Sequence, residues 1–347
     1  LPDATTYQTA VITSIRKEIP GVKTFTATYA NGTPIPYAAG QFITFIFTHH
    51  GKEERRSFSI SSHTGAAELS FTVKRVDNGI YSRHMADHVK PGDTLLTTGA
   101  AGLFTLPENI NQYEQIFFFA AGIGITPVIS LIKELLHTHP DKHIVLIYSN
   151  TSQGEVVFYN ELQLLSEKYP HFKLELLYSS SFNLARARLN KSLLPMLLKE
   201  YGLAPKEKML FYVCGPFQYM RMVTLSLGES GIHREQVKKE NFNTNDRVVH
   251  KTEPPDKAPH MVNLSIGKAA YHFQVAYPET ILQAAKKNGI DIPYSCEVGR
   301  CGSCAAKCVS GAVWLSYNEV LGETDLKKGI ILTCVGHPVG GGVSIEM

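Results

Sequence analysis

The sequence predicts a multidomain chain: an antiparallel β-barrel, then an α/β unit on a parallel sheet, then a small α+β unit. Three observations carry this reading. Short β-rich runs separated by turn residues fill the chain up to Leu106, strand-like and helix-like runs alternate from Gln115 onward, and five of the six cysteines lie from Cys296 to Cys334. At 347 residues the chain has room for two or three compact domains, each burying its own core.

The first unit, residues 1–107, carries the runs Gln8–Ile15, Gln41–Phe47, Glu68–Arg75 and Thr94–Thr98, with turn signals at Asn31-Gly32, His63-Thr64-Gly65 and Pro91-Gly92. Residues of that kind end strands and reverse the chain, as in a small antiparallel barrel. In the second unit, residues 108–242, strand-like runs at Ile116–Ala120, His143–Ser149, Lys173–Tyr178 and Met209–Cys214 alternate with helical patterns at Pro127–His137 and Val156–Lys168. Parallel strands need crossovers and helices supply them, so this is a nucleotide-binding type of sheet. Residues 243–260 turn polar and include Glu253-Pro254-Pro255-Asp256, the composition of a linker. The last unit, residues 261–347, begins with strand-like Met261–Ile266 and Ala270–Val275, continues through a helix at Thr280–Asn288, and then reaches the cysteines.

Composition excludes several classes. With 44% hydrophobic and 19% charged residues the chain is neither disordered nor fibrous, and a net charge of +3 is too weak for a nucleic-acid partner. The apolar run Gln115–Ile132 is barely long enough to span a membrane and has Gly122, Gly124 and Pro127 at its centre. It reads instead as a buried strand, a Gly-rich turn and a helix start, so no membrane span is expected. No N-terminal stretch has the order of a secretory signal, and clustered thiols suit a reducing compartment, so the expected location is the cytoplasm.

The strongest motif is Cys296-Glu297-Val298-Gly299-Arg300-Cys301-Gly302-Ser303-Cys304, completed by Cys334. C-x4-C-x2-C followed by a distant cysteine is the ligand order of a plant-type 2Fe-2S cluster, and soft thiolates are what its irons bind. Gly299 and Gly302 let the loop wrap closely. A structural zinc site is the alternative, although zinc more often takes two C-x2-C pairs. Cys308 falls outside the pattern and is expected in the core of the following strand.

Pro293-Tyr294-Ser295-Cys296 leading into this loop, with Gly329-Ile330-Ile331-Leu332-Thr333-Cys334 closing it, resembles a plant-type ferredoxin, which implies a β-grasp fold. The rest of the chain resembles the ferredoxin-NADP reductase superfamily. The module order, reductase first and ferredoxin last, is similar to the oxygenase reductases, including the reductase component of phenylacetyl-CoA epoxidase. Within that resemblance, Arg56-Ser57-Phe58-Ser59 is similar to the family's Arg-x-Tyr-Ser flavin motif, with Phe in the Tyr place. Arg56 offers a planar fork for a phosphate, Phe58 a flat face for the flavin ring, and Ser59 a hydroxyl for its N5 edge. Val73-Lys74-Arg75 and Gly79-Ile80-Tyr81-Ser82 are similar to the stretch that folds onto the flavin diphosphate.

Ala121-Gly122-Ile123-Gly124-Ile125-Thr126-Pro127, between strand and helix, permits close approach of backbone to a pyrophosphate, and Cys214-Gly215-Pro216 is the family's second mark. The resemblance places Thr126 and Cys214 near the flavin and nicotinamide rings, which with Ser59 makes three candidate catalytic residues. Cys214 as a plain buried strand-end thiol is the other reading. Ser179-Ser180-Ser181 with Arg186 and Arg188 offers a clamp for a 2′-phosphate, which favours NADPH over NADH.

The resemblance implies a reductase that moves electrons from NAD(P)H through FAD, with FMN as alternative, to a 2Fe-2S cluster and on to an oxygenase, a desaturase or another one-electron acceptor protein. A self-sufficient diaphorase or quinone-type reductase and a non-catalytic redox sensor are its rivals.

Overall fold

Residues 7–242 and 251–347 are described in the computed structural model of the chain, and they fall into two units, 7–241 and 242–347. The first unit holds two sheets. Its barrel is built from β1 (Gln8–Ile19), β2 (Val22–Tyr29), β3 (Phe42–His49), β4 (Lys52–Ser59), β5 (Leu69–Lys74) and β6 (Thr94–Ala101), with α1 (Ile80–Asp87) before the last strand. The strand order is β4-β3-β6-β1-β2-β5, and a bridge from Ile60 to Phe71 brings the two edge strands together. Inward-facing Ile12, Phe25, Ile43, Phe45 and Phe71 are fully buried and fill the barrel. β3 and β4 are joined by the two-residue turn His50-Gly51, both with positive φ (49° and 73°), the hairpin turn that matches strand twist.

The second sheet is parallel: β7 (Gln115–Ala121), α2 (Ile125–Thr138), β8 (His143–Asn150), α3 (Tyr159–Lys168), β9 (Phe172–Tyr178), α4 (Leu193–Tyr201), β10 (Met209–Cys214), α5 (Phe217–Glu229) and β11 (Val237–Glu240), in the order β11-β10-β7-β8-β9. Every residue of the central strand β7 is buried, as expected where helices cover both faces. The run Gln115–Ile132 is therefore strand, turn and helix, and no described helix is long and apolar enough to cross a membrane. Pro127 sits in the first turn of α2, where no intrahelical N–H bond is lost. Successive strands leave β7 in one direction through β8 and β9, then in the other through β10 and β11. The order therefore reverses between β7 and β10, and the crevice beyond the carboxyl ends of such strands is where ligands bind.

The second unit comprises β12 (His260–Ile266), β13 (Ala269–Val275), α6 (Ile281–Lys287), β14 (Ala305–Leu315), α7 (Glu323–Lys327), β15 (Ile330–Leu332) and β16 (Gly336–Glu346), with sheet order β13-β12-β16-β14-β15. A capping box opens α6: Gln283 N–H donates to Thr280 Oγ1 (3.3 Å) and Thr280 N–H to Gln283 Oε1 (3.0 Å). The helix buries Ile281, Leu282, Ala284 and Ala285. Of the stretch 243–260 read as a linker, residues 243–250 lie outside the described residues. The remainder is tied to the second unit, Thr252 N–H donating to Ser316 O (2.8 Å) and Gly340 N–H to Asp256 Oδ2 (2.8 Å). Residues 251–260 are thus hydrogen-bonded to the second unit through Thr252 and Asp256.

Candidate functional site

At the carboxyl ends of β7 and β10 the two glycine motifs interlock. A Cβ on Gly124 would lie 2.3 Å from the Cys214 carbonyl oxygen, and one on Gly215 would lie 3.0 Å from Ala121 Cβ. Gly122 has φ +54°, which only glycine adopts without strain. Its carbonyl accepts from Tyr148 Oη (2.9 Å), and Thr126 Oγ1 donates to Ile123 O (3.0 Å), so side chains pin the turn from both sides. Thr126 and Cys214, called for separately by the sequence, are thus brought to one crevice. Cys214 is fully buried, and burial pushes its thiol well above the ordinary value, with Glu240 adding to the effect. It is a neutral thiol.

Glu240 was not singled out from the sequence. It stands beside Cys214 in the parallel register of β10 and β11, and burial pushes its carboxyl up to about 8. Its Oε2 is buried with no hydrogen-bond partner. Ser149 and Asn150, at the end of β8, turn their polar side chains toward Tyr219 and Tyr148. A buried carboxyl oxygen left without a partner beside the two glycine turns is what a polar ligand can satisfy on binding. A dinucleotide fits here.

The flavin motif lies on the second half of β4. Arg56 places its guanidinium 4.6 Å from the Tyr81 ring centroid and pairs with Glu54 (2.7 Å), while the Ser59 side chain is buried and makes no hydrogen bond among the described residues. Gly79 and Ser82 pack tightly at the start of α1: a Cβ on Gly79 would lie 2.4 Å from Ser82 Oγ, which accepts from Val76 N–H (3.2 Å). Arg56, Gly79, Tyr81 and Ser82 therefore share one face, and that cradle fits a flavin phosphate. Phe58 is half-buried, with one side against Phe45 and Phe71. Other predicted members face elsewhere. Val73 is in the barrel core, Ser57 shares a hydrogen bond with Thr44 (2.9 Å), Lys74 is exposed, and Arg75 pairs with Asp87 (3.0 Å) and Asp77 (3.1 Å).

Barrel and parallel sheet are locked through α2. Its buried Ser130 accepts from Gly40 N–H (3.2 Å) and donates to Ser62 O (2.5 Å), and one turn on Glu134 accepts from Thr64 N–H (2.8 Å). Gly40, at φ +86°, has no space for a Cβ against Phe104 O and Leu131. The helix that carries Thr126 and Pro127 in its first turn is thus the helix that grips the barrel. Nothing in the sequence marked Ser130 or Glu134, because their partners are distant loops.

Of the two arginines assigned to a 2′-phosphate, Arg186 is engaged: it pairs with Glu175 (2.9 Å) and with Glu200, and these carboxylates raise its basicity. Arg188 is exposed and, among the described residues, its guanidinium has no partner.

In the second unit the cysteine loop turns through three left-handed residues, Glu297 (φ 57°), Gly299 (φ 75°) and Gly302 (φ 74°). Val298 N–H and Arg300 N–H point at Cys296 Sγ (3.5 and 3.4 Å). The buried Arg300 side chain pairs with Glu319 (2.9 Å), which anchors the loop from below. Cys296 contacts Cys301 and Cys334, and Cys334 contacts Cys304; hydrogen bonds from its neighbours hold the Cys296 sulfur well below the usual thiol range. The four thiols therefore meet in one chain, Cys301 to Cys296 to Cys334 to Cys304, and a set of four converging thiols fits a 2Fe-2S cluster. Cys308 is partly exposed on β14 rather than in the core, at the point where a register shift begins and the strand leaves the buried part of the sheet.

Comparison with known proteins agrees with this geometry. Residues 15–106 match the oxidoreductase FAD-binding domain, 118–224 the oxidoreductase NAD-binding domain, and 266–339 the 2Fe-2S iron-sulfur cluster binding domain. The chain is 31% identical to the ferredoxin reductase component of 3-ketosteroid-9-alpha-monooxygenase of Rhodococcus rhodochrous, over 89% of this chain and 88% of that one. It is 27% identical to one of the subunits of the 1,2-phenylacetyl-CoA epoxidase of Escherichia coli, over 99% and 98%. Among solved structures, phthalate dioxygenase reductase shares the fold, with a TM-score of 0.59 at 22% identity and 98% coverage of both chains. The chain belongs to the family of flavin- and 2Fe-2S-containing reductases that serve as reductase components of oxygenases.

Proposed function

We propose that this reductase takes a hydride from NAD(P)H in the crevice at Gly122–Pro127 and Cys214–Pro216, binds FAD at Arg56–Ser59 and Gly79–Ser82, and delivers single electrons to an oxygenase by way of Cys296, Cys301, Cys304 and Cys334. The flavin, when bound, accepts two electrons together and releases them singly, which a nicotinamide cannot do and a 2Fe-2S cluster requires. The chain's residues orient and shield. Thr126 and the neutral Cys214 thiol lie buried directly behind the glycine turns of the nicotinamide site and add no charge to it, and Ser59 presents a free hydroxyl to the flavin edge. α2 keeps both sites in register through Ser130 and Glu134. The 2′-phosphate reading rests on Arg188 with Ser179–Ser181, because Arg186 is held by two carboxylates; NADPH is the preferred donor on that basis. Thiol ligands of this kind favour the reducing cytoplasm.

The observation that carries this reading is the meeting of four cysteines, in ferredoxin order, within one loop-and-strand frame. Steady-state turnover of the full chain and of Cys304→Ser tests it, with ferricyanide and with cytochrome c as acceptors. The variant should keep NAD(P)H oxidation with ferricyanide and lose cytochrome c reduction. Equal cytochrome c reduction by both would take the cluster off the path, and a redox sensor would turn over neither acceptor.

A further inference from the structure

The flavin site has a direction. Ser59 and Arg56 lie three residues apart on β4, about 10 Å at the usual rise of a strand. Beyond Arg56, away from Ser59, the strand runs back to Lys52 and the His50-Gly51 turn, where His49 faces Lys52 across the hairpin. α1 brings His84 and His88 to the same end.

An aromatic group connects these residues to the phosphate cradle. The Tyr81 ring, which lies under Arg56, is 4.6 Å from Phe47 and stands edge-on to His49 at 6.4 Å. Phe47 meets His84 edge-on at 6.2 Å, His49 meets His50 at 4.1 Å, and His84 lies 5.9 Å from His88. His50, His84 and His88 are exposed and His49 is half-buried. Among the described residues none of the four rings makes a hydrogen bond or an ion pair. Four imidazoles, three of them exposed, thus gather one step past a phosphate-binding arginine, on the side away from the flavin ring.

We propose that His49, His50 and His84 form the adenine subsite of bound FAD, and that they select FAD over FMN. The inference rests on the reading of Arg56–Ser59 as the flavin site. A dinucleotide anchored with its ring at Ser59 and its diphosphate at Arg56 must extend its adenosine half toward the β3–β4 hairpin. Adenine is flat and aromatic, so it stacks on imidazole faces while ring nitrogens reach its polar edge. FMN ends at its phosphate and never reaches the histidines.

The test is flavin release from the intact protein on dilution, followed by reloading with FAD or FMN and titration by flavin fluorescence. His49→Ala combined with His84→Ala should weaken FAD about tenfold or more, the scale of one lost stacking platform, and leave FMN within about twofold. His50→Gly keeps the turn, since glycine accepts its positive φ, and should weaken FAD alone to a smaller degree. Unchanged FAD binding in these variants, or equal losses of FAD and FMN, overturns the subsite. Failure of the unaltered protein to hold either flavin, or full retention by Arg56→Ala, overturns the flavin site itself and is told apart by the FMN arm.

Discussion

Glu240→Gln should stabilise the protein, and more so as pH rises. The carboxyl has an ordinary value of 4.5 and is pushed up to about 8 by burial, a difference of 3.5 pH units. At about 1.4 kcal/mol per unit, full expression of that shift corresponds to about 5 kcal/mol. The residue as a whole keeps some surface although Oε2 is buried, and water at that surface screens the charge. About 2 kcal/mol is therefore the working figure. The sign follows from proton uptake: between pH 4.5 and 8 the folded state holds a proton that the unfolded state has lost, so stability falls as pH rises through this window and levels off above it. Glutamine keeps the shape and removes the titration. Thermal unfolding at pH 5 should find the two proteins alike, while at pH 8.5 the first unit of the variant should melt about 4 to 8 °C higher. A melting difference independent of pH, or a variant less stable at pH 8.5, would refute the assignment of a buried, unpartnered carboxyl beside Cys214.

Arg188→Ala should lower kcat/KM for NADPH by roughly 10- to 100-fold and leave NADH within about twofold, whereas Arg186→Ala, which frees Glu175 and Glu200, should weaken both donors alike. Steady-state kinetics with each nucleotide decides this, and parallel losses in Arg188→Ala would remove it from the 2′-phosphate. Gly124→Ala drives a Cβ to 2.3 Å from a backbone oxygen, where no side chain can move aside. A loss of at least about 2 kcal/mol in stability is expected, together with loss of NAD(P)H binding by calorimetry while flavin stays bound. Normal nucleotide affinity in that variant would show that the turn is not the nucleotide site.

Much of this was legible in the sequence, for physical reasons that differ by element. β7 and α2 could be read because a central parallel strand is a near-continuous apolar run, here Ile116–Ala121, and a tight pyrophosphate turn favours glycine. The cluster loop could be read because ligand order is covalent information. β4 could not be read as a strand over its first half, since Lys52-Glu53-Glu54-Arg55-Arg56 is nearly all charged; it pairs because it lies at the end of the sheet order, where side chains meet water. Arg186 looked like a ligand because sequence cannot show that Glu175 and Glu200 converge on it. Glu240, Ser130 and Glu134 gave no signal at all, because each matters through a residue distant in the chain. Residues 251–259 read as linker from composition, yet Thr252 and Asp256 bond the second unit.

The central claim is that electrons from NAD(P)H reach the four-cysteine centre within this one chain. Anaerobic addition of one equivalent of NADPH to the intact, flavin-loaded protein, followed by visible absorption and low-temperature paramagnetic resonance, tests it most directly. The account predicts bleaching of the flavin together with the signal of a reduced two-iron cluster, absent in Cys304→Ser. Flavin bleaching with no cluster signal in the intact protein would contradict it.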